Sequence, residues 1–172
     1  EGGSVDLNPG VGDQRWKGEY QLTSGPTLAG DLVVVGSAVG DNVRIVAPSG
    51  VIRAFNVRTG EMVWAWDLAP PDEPGGKRDP VSGWMLSTPN VWAPMSYDPE
   101  LDLLFVGTGN PTPDYASAHR QGLDHFGSST VALHARTGEV AWSFQTVHHD
   151  VWDFDIPAQP VLFPLQRDGQ AI

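Results

Sequence analysis

The chain has 172 residues, 40% of them hydrophobic, with 7 Trp, 20 Gly, 15 Pro and a formal charge of −11. That apolar fraction suffices for the core of one domain and excludes disorder throughout. The 10 Lys and Arg are scattered among 21 Asp and Glu, which excludes a phosphate-tracking nucleic-acid surface, and the absence of Cys excludes disulfides, thiolate catalysis and thiolate zinc sites.

Gly and Pro recur too often for long helices, so short strands with tight turns are predicted and the class is all-β. In chain order, residues 26–28 and 31–36 read as a first pair of strands. A hairpin follows at 54–64, where Ala-Phe-Asn-Val-Arg-Thr-Gly-Glu-Met-Val-Trp alternates on both sides of a Thr-Gly turn. Residues 68–89, rich in Pro, Gly and charge, read as a long loop. A second pair of strands is predicted at 93–95 and 102–107, and a second long loop at 111–127. The hairpin then returns, 78 positions on from the first, as Ala-Leu-His-Ala-Arg-Thr-Gly-Glu-Val-Ala-Trp at 132–142. A third unit is expected to begin at 157–163.

Two four-stranded units, each carrying the tryptophan hairpin, and the start of a third are the pattern of β-propeller blades. The blades are predicted at about 23–66 and 91–145, with the next at about 157–172. Two blades and a fragment do not close a ring, since propellers use about four to eight, so the intact protein is expected to be larger. No stretch reaches the roughly 18 consecutive apolar residues of a membrane span and no secretion signal opens the chain. It therefore reads as soluble, with any anchor lying outside it.

Three clusters could carry chemistry. His148, His149, Asp150, Asp153 and Asp155 are interleaved with Trp152 and Phe154. A carboxylate against an aromatic wall is desolvated toward a general base's working range; the alternative is a polar blade-end turn around a buried Trp. The strand exit Gly107-Thr-Gly-Asn-Pro111 exposes the amide of Asn110, whose oxygen suits a hard cation, unless the turn is only a turn. At the corresponding exit of the first blade, Gly36 to Asn42 presents Asp41 and Asn42, which either share an ion with Asn110 or form an Asx turn. Trp92 could offer a flat face to a planar ring or simply pack in the core. His119, His125 and His134 lack metal-ligand spacing, giving a zinc hydrolase little support.

Taken together, the Trp-hairpin repeat, the Gly-Thr-Gly-Asn-Pro turn and the run His149-Asp-Val-Trp-Asp-Phe154 resemble the pyrroloquinoline-quinone (PQQ) dehydrogenases, from about Thr23 to Pro160. Residues 146–160 and 49–57 look most like the membrane-bound glucose and quinate dehydrogenases. The resemblance implies an eight-bladed propeller whose tryptophan motifs dock successive blades and whose funnel holds the quinone over a calcium or magnesium ion. By position it implies that Asp153 is the base, that Trp92 floors the quinone and that Thr23 contacts it. Asp41 then takes the acidic metal position, with Asn42 and Asn110 as the amide candidates.

The resemblance also implies a sugar or alcohol substrate, a propeller facing the periplasm, and electrons passing to ubiquinone through a membrane portion outside this sequence. A basic quinone contact is expected shortly after Ile172. The rivals are a non-catalytic propeller scaffold and a calcium-dependent carbohydrate-binding module. A scaffold has no evident reason to combine Asp41, Asn42, Asn110 and Asp153 with Trp92, and the binding module predicts calcium-dependent sugar binding without electron transfer.

Overall fold

The computed structural model describes residues 4–72 and 75–171. Its strands are β1 (Tyr20–Gln21), β2 (Thr27–Ala29), β3 (Leu32–Val35), β4 (Ala38–Val39), β5 (Ile52–Asn56), β6 (Met62–Trp66), β7 (Ser96–Asp98), β8 (Leu103–Gly107), β9 (Ser129–His134), β10 (Val140–Gln145), β11 (Gln166–Arg167) and β12 (Gln170–Ala171). Two four-stranded antiparallel sheets result, ordered β2-β3-β5-β6 and β7-β8-β9-β10, beside the two-stranded ribbons β1-β4 and β11-β12. The only helical segments among the described residues are the short 3-10 turns Ser117–His119 and Leu123–Phe126.

The repeated sequence makes a repeated structure for local reasons. In both hairpins the Thr-Gly glycine is left-handed, Gly60 at φ 73° and Gly138 at φ 74°, and its N–H closes the turn onto the carbonyl of Asn56 or His134 at 2.8 Å. Just beyond each turn the register slips by one residue: Ala54 pairs with Trp64 but Phe55 with Met62, and Ala132 pairs with Trp142 but Leu133 with Val140. The unpaired residues, Val63 and Ala141, are the same position of the repeat, each immediately before its tryptophan. A bulge there adds twist and re-aims the indole.

Trp64 shows what the indole is for. It is 7% exposed, and its Nε1–H donates to the Ala135 carbonyl of the second sheet at 2.9 Å. The ring lies on Gly138, where an added Cβ would come within 2.5 Å of it, so only glycine lets the turn close over the indole. Around this contact, Val34 and Ile52 of one sheet share a buried core with Leu104, Val106, Val131 and Leu133 of the other. At the outer edges each half of the contact stands alone. Trp142 is 45% exposed, touching Phe105, and nothing lies within 4 Å of a Cβ placed on Gly60.

Two segments differ from the sequence expectation. The second sheet starts at Ser96 rather than at residue 93, because the preceding stretch is spent joining the sheets. Ser37 N–H donates to the Val91 carbonyl at 2.9 Å, and Gly109 N–H to the Asn90 carbonyl at 2.9 Å. Cβ atoms at Gly36 and Gly50 would collide with the carbonyls of Val91 and Pro89, so those glycines admit the strap. Residues 157–163 form no strand: Gln159 and the Pro160 carbonyl are tied to Met95 and Ser96, while Val161 and Phe163 remain exposed. Among the described residues no strand pairs with this segment.

Replacing Trp64 with Ala is expected to cost about 3–5 kcal/mol, the range for a large buried aromatic, whereas Trp142→Ala should cost less than about 1 kcal/mol in this chain. Urea denaturation of the two variants checks the asymmetry; equal losses would show that Trp64 does not carry the sheet–sheet contact.

Candidate functional site

Three chain segments meet where the sheets exchange backbone hydrogen bonds. The first is the turn after β4. Its position is fixed by Glu19, 1% exposed, whose carboxylate accepts from Arg44 Nε at 2.5 Å and from Arg15 N–H at 2.6 Å, while the Glu19 carbonyl accepts from Gly40 N–H at 2.8 Å. The next residue is Asp41, whose Oδ2 accepts from Asn90 Nδ2 at 3.0 Å. The strap thus reaches the first sheet's acidic turn through a side chain as well as through its backbone.

The second segment follows β8: Asn110, then a cis Thr112–Pro113 bond, then Asp114 and Tyr115. Asn110 and Asp114 are each 1% exposed. Arg120, with no exposed surface, holds this loop from below: it donates to the Pro113 carbonyl at 2.9 Å, to the Asp114 carbonyl, to Asp124 Oδ1 at 2.7 Å and to the Asp150 carbonyl at 2.5 Å. One guanidinium therefore ties the loop to the third segment, residues 148–155.

That third segment is shaped by Asp150. Its carboxylate accepts from Ser128 Oγ at 2.6 Å, from Trp152 N–H at 2.9 Å and from Phe154 N–H at 2.7 Å. Burial pushes the Asp150 carboxyl up, but these hydrogen bonds outweigh it and hold the group below the usual carboxylate range. The wound turn sets Asp153 at φ 65°, exposed, with Tyr115 Oη donating to its Oδ2 at 3.1 Å. Asp155 turns inward and its Oδ2 accepts from Trp92 Nε1 at 2.7 Å.

Ser128 Oγ also lies 3.1 Å from the Asn110 amide. A hydroxyl carries one proton, and the ionised Asp150 takes it. The atom of Asn110 at that contact is Oδ1, and its Nδ2 is left buried without a partner.

The electrostatics are those of a site short of positive charge. Burial pushes Asp114 up to about 8, reinforced by Asp41, Asp153 and Asp155. Burial likewise pushes Asp155 up to about 6, the Trp92 hydrogen bond opposing and the charges of Asp153 and Asp41 adding. Asp41 is raised as well, chiefly by burial. Both carboxylate oxygens of Asp114, Oδ1 of Asp155 and Oδ1 of Asn90 are buried without a partner. Buried acceptors without donors call for a cation, and hard oxygen donors of this kind suit calcium or magnesium. Among the described residues no three His, Asp or Glu side chains close around one point, so any metal here relies on amide oxygens beside the carboxylates.

The six residues predicted from sequence are thus joined in one network. Asp41 feels Asp153, and Asn42 reaches the Tyr115 hydroxyl that also holds Asp153. Trp92 binds Asp155, Thr23 Oγ1 donates to the Trp92 carbonyl at 3.1 Å, and Asn110 sits between Asp150 and Asp155. The imidazoles of His119, His125 and His134 take no part. Sequence reading passed over Asn90, Asp114, Tyr115 and Arg120. The Thr-Pro-Asp turn inside a long loop was a usable signal for Asp114, but nothing local marks Arg120.

Tryptophan-docked four-stranded sheets, with acidic and amide side chains gathered at adjoining strand exits, define a segment of a β-propeller. The family model described as "PQQ: Glucose/ethanol/alcohol dehydrogenase, beta-propeller domain" matches residues 1–172, and the chain belongs to that family. It is 42% identical over 170 residues to the quinate/shikimate dehydrogenase (quinone) of Acinetobacter baylyi, covering 97% of this chain and 21% of the relative. It is 40% identical over 171 residues to the quinoprotein glucose dehydrogenase of Escherichia coli, covering 99% and 21%. Among solved structures, a quinohemoprotein alcohol dehydrogenase of Pseudomonas putida superposes with a TM-score of 0.69 at 29% identity, over 88% of this chain and 24% of the other. The chain thus spans about a fifth of the curated relatives it matches.

The raised carboxyls give stability a definite pH dependence. Between about pH 4 and pH 8 the folded chain holds protons on Asp155 and Asp114 that the unfolded chain, with Asp near 3.8, has released. Folding stability therefore falls as pH rises through 6 and 8 in the absence of divalent cations. Asp114→Asn should flatten the upper part of that decline. Urea titrations at fixed pH in chelator check it; a stability that rises across this window would contradict the assignment.

Proposed function

We propose that the intact protein oxidises a sugar or polyol-type alcohol, using pyrroloquinoline quinone as oxidant and a calcium or magnesium ion as Lewis acid. The observation that carries this reading is that unpartnered buried oxygens, an exposed carboxylate and a half-buried indole are gathered where the strand exits of the two sheets adjoin. Asp41, Asn42 and Asn110 would hold the ion, and Trp92 and Thr23 would contact the quinone. When bound, quinone and ion together supply a polarised two-electron acceptor.

The chain's own residues do the rest. Asp153 takes the proton of the substrate hydroxyl as the C–H hydride departs, leaving a carbonyl product and an oxidant reduced by two electrons. The carboxylate is placed for this by the Asp150-wound turn and oriented by Tyr115 Oη at 3.1 Å. Asp155 and the Trp92 N–H lock the indole edge, so the ring cannot rotate away. Arg120 fixes the Tyr115 loop relative to Asp153 through the carbonyls of Pro113, Asp114 and Asp150. Preorganisation of this kind keeps the base and its neighbours in place before substrate arrives.

The relatives named for glucose, quinate/shikimate and glycerol support a polyhydroxylated substrate. In the same reading the propeller faces the periplasm and electrons pass to ubiquinone through a membrane portion. Among the described residues no helix is long and apolar enough to cross a membrane.

Asp153→Asn in the intact protein should lower kcat by about 10²–10⁴-fold, the usual range for loss of general-base catalysis, while quinone uptake followed by tryptophan fluorescence is unchanged. Steady-state dye reduction with glucose, quinate and glycerol measures it. Undiminished turnover would remove Asp153 from the role of base.

A further inference from the structure

Asp114 lies outside the set assigned to the ion above, yet it is the acidic side chain most in need of a counter-charge. It is 1% exposed and neither carboxylate oxygen has a hydrogen-bond partner, although its backbone carbonyl is gripped by Arg120. The charge of Asp41 bears directly on its carboxyl. Two buried carboxylates that feel each other's charge are tolerated only with a proton or a cation between them.

A separate observation points to the cation. Asn90, also 1% exposed, spends its NH2 on Asp41 Oδ2 and leaves its own amide oxygen buried without a donor. A proton shared by two carboxylates satisfies those carboxylates and does nothing for a third acceptor beside them. A divalent cation satisfies all of them, because it accepts six or more oxygen ligands in the case of calcium.

We propose that Asp114 is a second carboxylate ligand of the cation, holding it jointly with Asp41. This rests on the reading that the pocket binds a divalent ion, and extends it to a residue on the 111–127 loop. The loop is then a working part of the metal site, brought there by the Arg120 clamp.

The test uses the full-length protein stripped with chelator. Calcium is titrated at fixed pyrroloquinoline quinone, and quinone uptake is read from quenching of tryptophan fluorescence, with no substrate present. Asp114→Asn is expected to raise the calcium concentration for half-maximal uptake by tenfold or more. Asp114→Glu, which keeps the charge on a longer arm, should fall between Asn and wild type, and Asp31→Asn, which removes an exposed carboxylate elsewhere, should match wild type.

In chelator the Tm of Asp114→Asn should equal or exceed that of wild type, because the amide is neutral beside Asp41 without having to take up a proton. That result separates ligation from a merely structural role. Calcium dependence equal to wild type in both Asp114 variants would overturn the proposal and leave the ion at Asp41 intact. Quinone uptake by the wild type that is indifferent to calcium and to magnesium would overturn the metal reading and the proposal together.

Discussion

One indole decides where everything else in this molecule sits. Trp64 leaves the first sheet, crosses to the second and ends in a buried hydrogen bond to Ala135, with Gly138 closing over its ring. Its burial removes a large apolar area from water and its N–H is satisfied, so contact and polar cost are settled together. With the sheets locked in that relation, the strand exits at Asp41 and Asn110 lie side by side rather than on separate faces. The strap through Asn90 and Trp92 is then positioned to bond to both sides, to Asp41 on one and to Asp155 on the other.

The pocket built on this frame works against the stability of the chain that forms it. Burial and mutual repulsion raise Asp41, Asp114 and Asp155, and several acceptor oxygens lack donors. Such an arrangement persists only because its surroundings over-determine it. Arg120 and Asp150 brace one side and the Glu19–Arg44 pair braces the other, all of them strongly hydrogen-bonded and all but Arg44 buried. Rigid supports around an unsatisfied acidic centre are what a cation site requires, since the binding energy of the ion is greatest where the donors are already in place.

Much of this was legible in the amino-acid sequence, and the limits have physical causes. The hairpins at 54–64 and 132–142 announced themselves because turn, bulge and tryptophan are all local. Asp41 and Asn110 stood out because each follows a strand exit rich in glycine, and Asp153 because carboxylates and imidazoles are interleaved there with Trp152 and Phe154. Residues 93–95 are read as a strand from the sequence, but Val91, Ala93 and Met95 are buried between the sheets and not paired within one. Residues 157–163 have the composition of a strand and no neighbour to pair with. Asp114 and Arg120 were invisible for a different reason: their importance is set by contacts with Asp41 and Asp150, which lie 73 and 30 positions away.

The central claim is that the strand exits of two adjoining sheets form one cation-and-quinone pocket. Anomalous diffraction from crystals of the intact protein grown with calcium and pyrroloquinoline quinone tests it most directly. One calcium peak should lie within about 2.3–2.6 Å, the span of calcium–oxygen bonds, of side-chain oxygens from Asp41 and Asn110, with Asp153 opening onto the same cavity. A peak held by other residues, or Asp41 and Asp153 facing different cavities, would contradict the account.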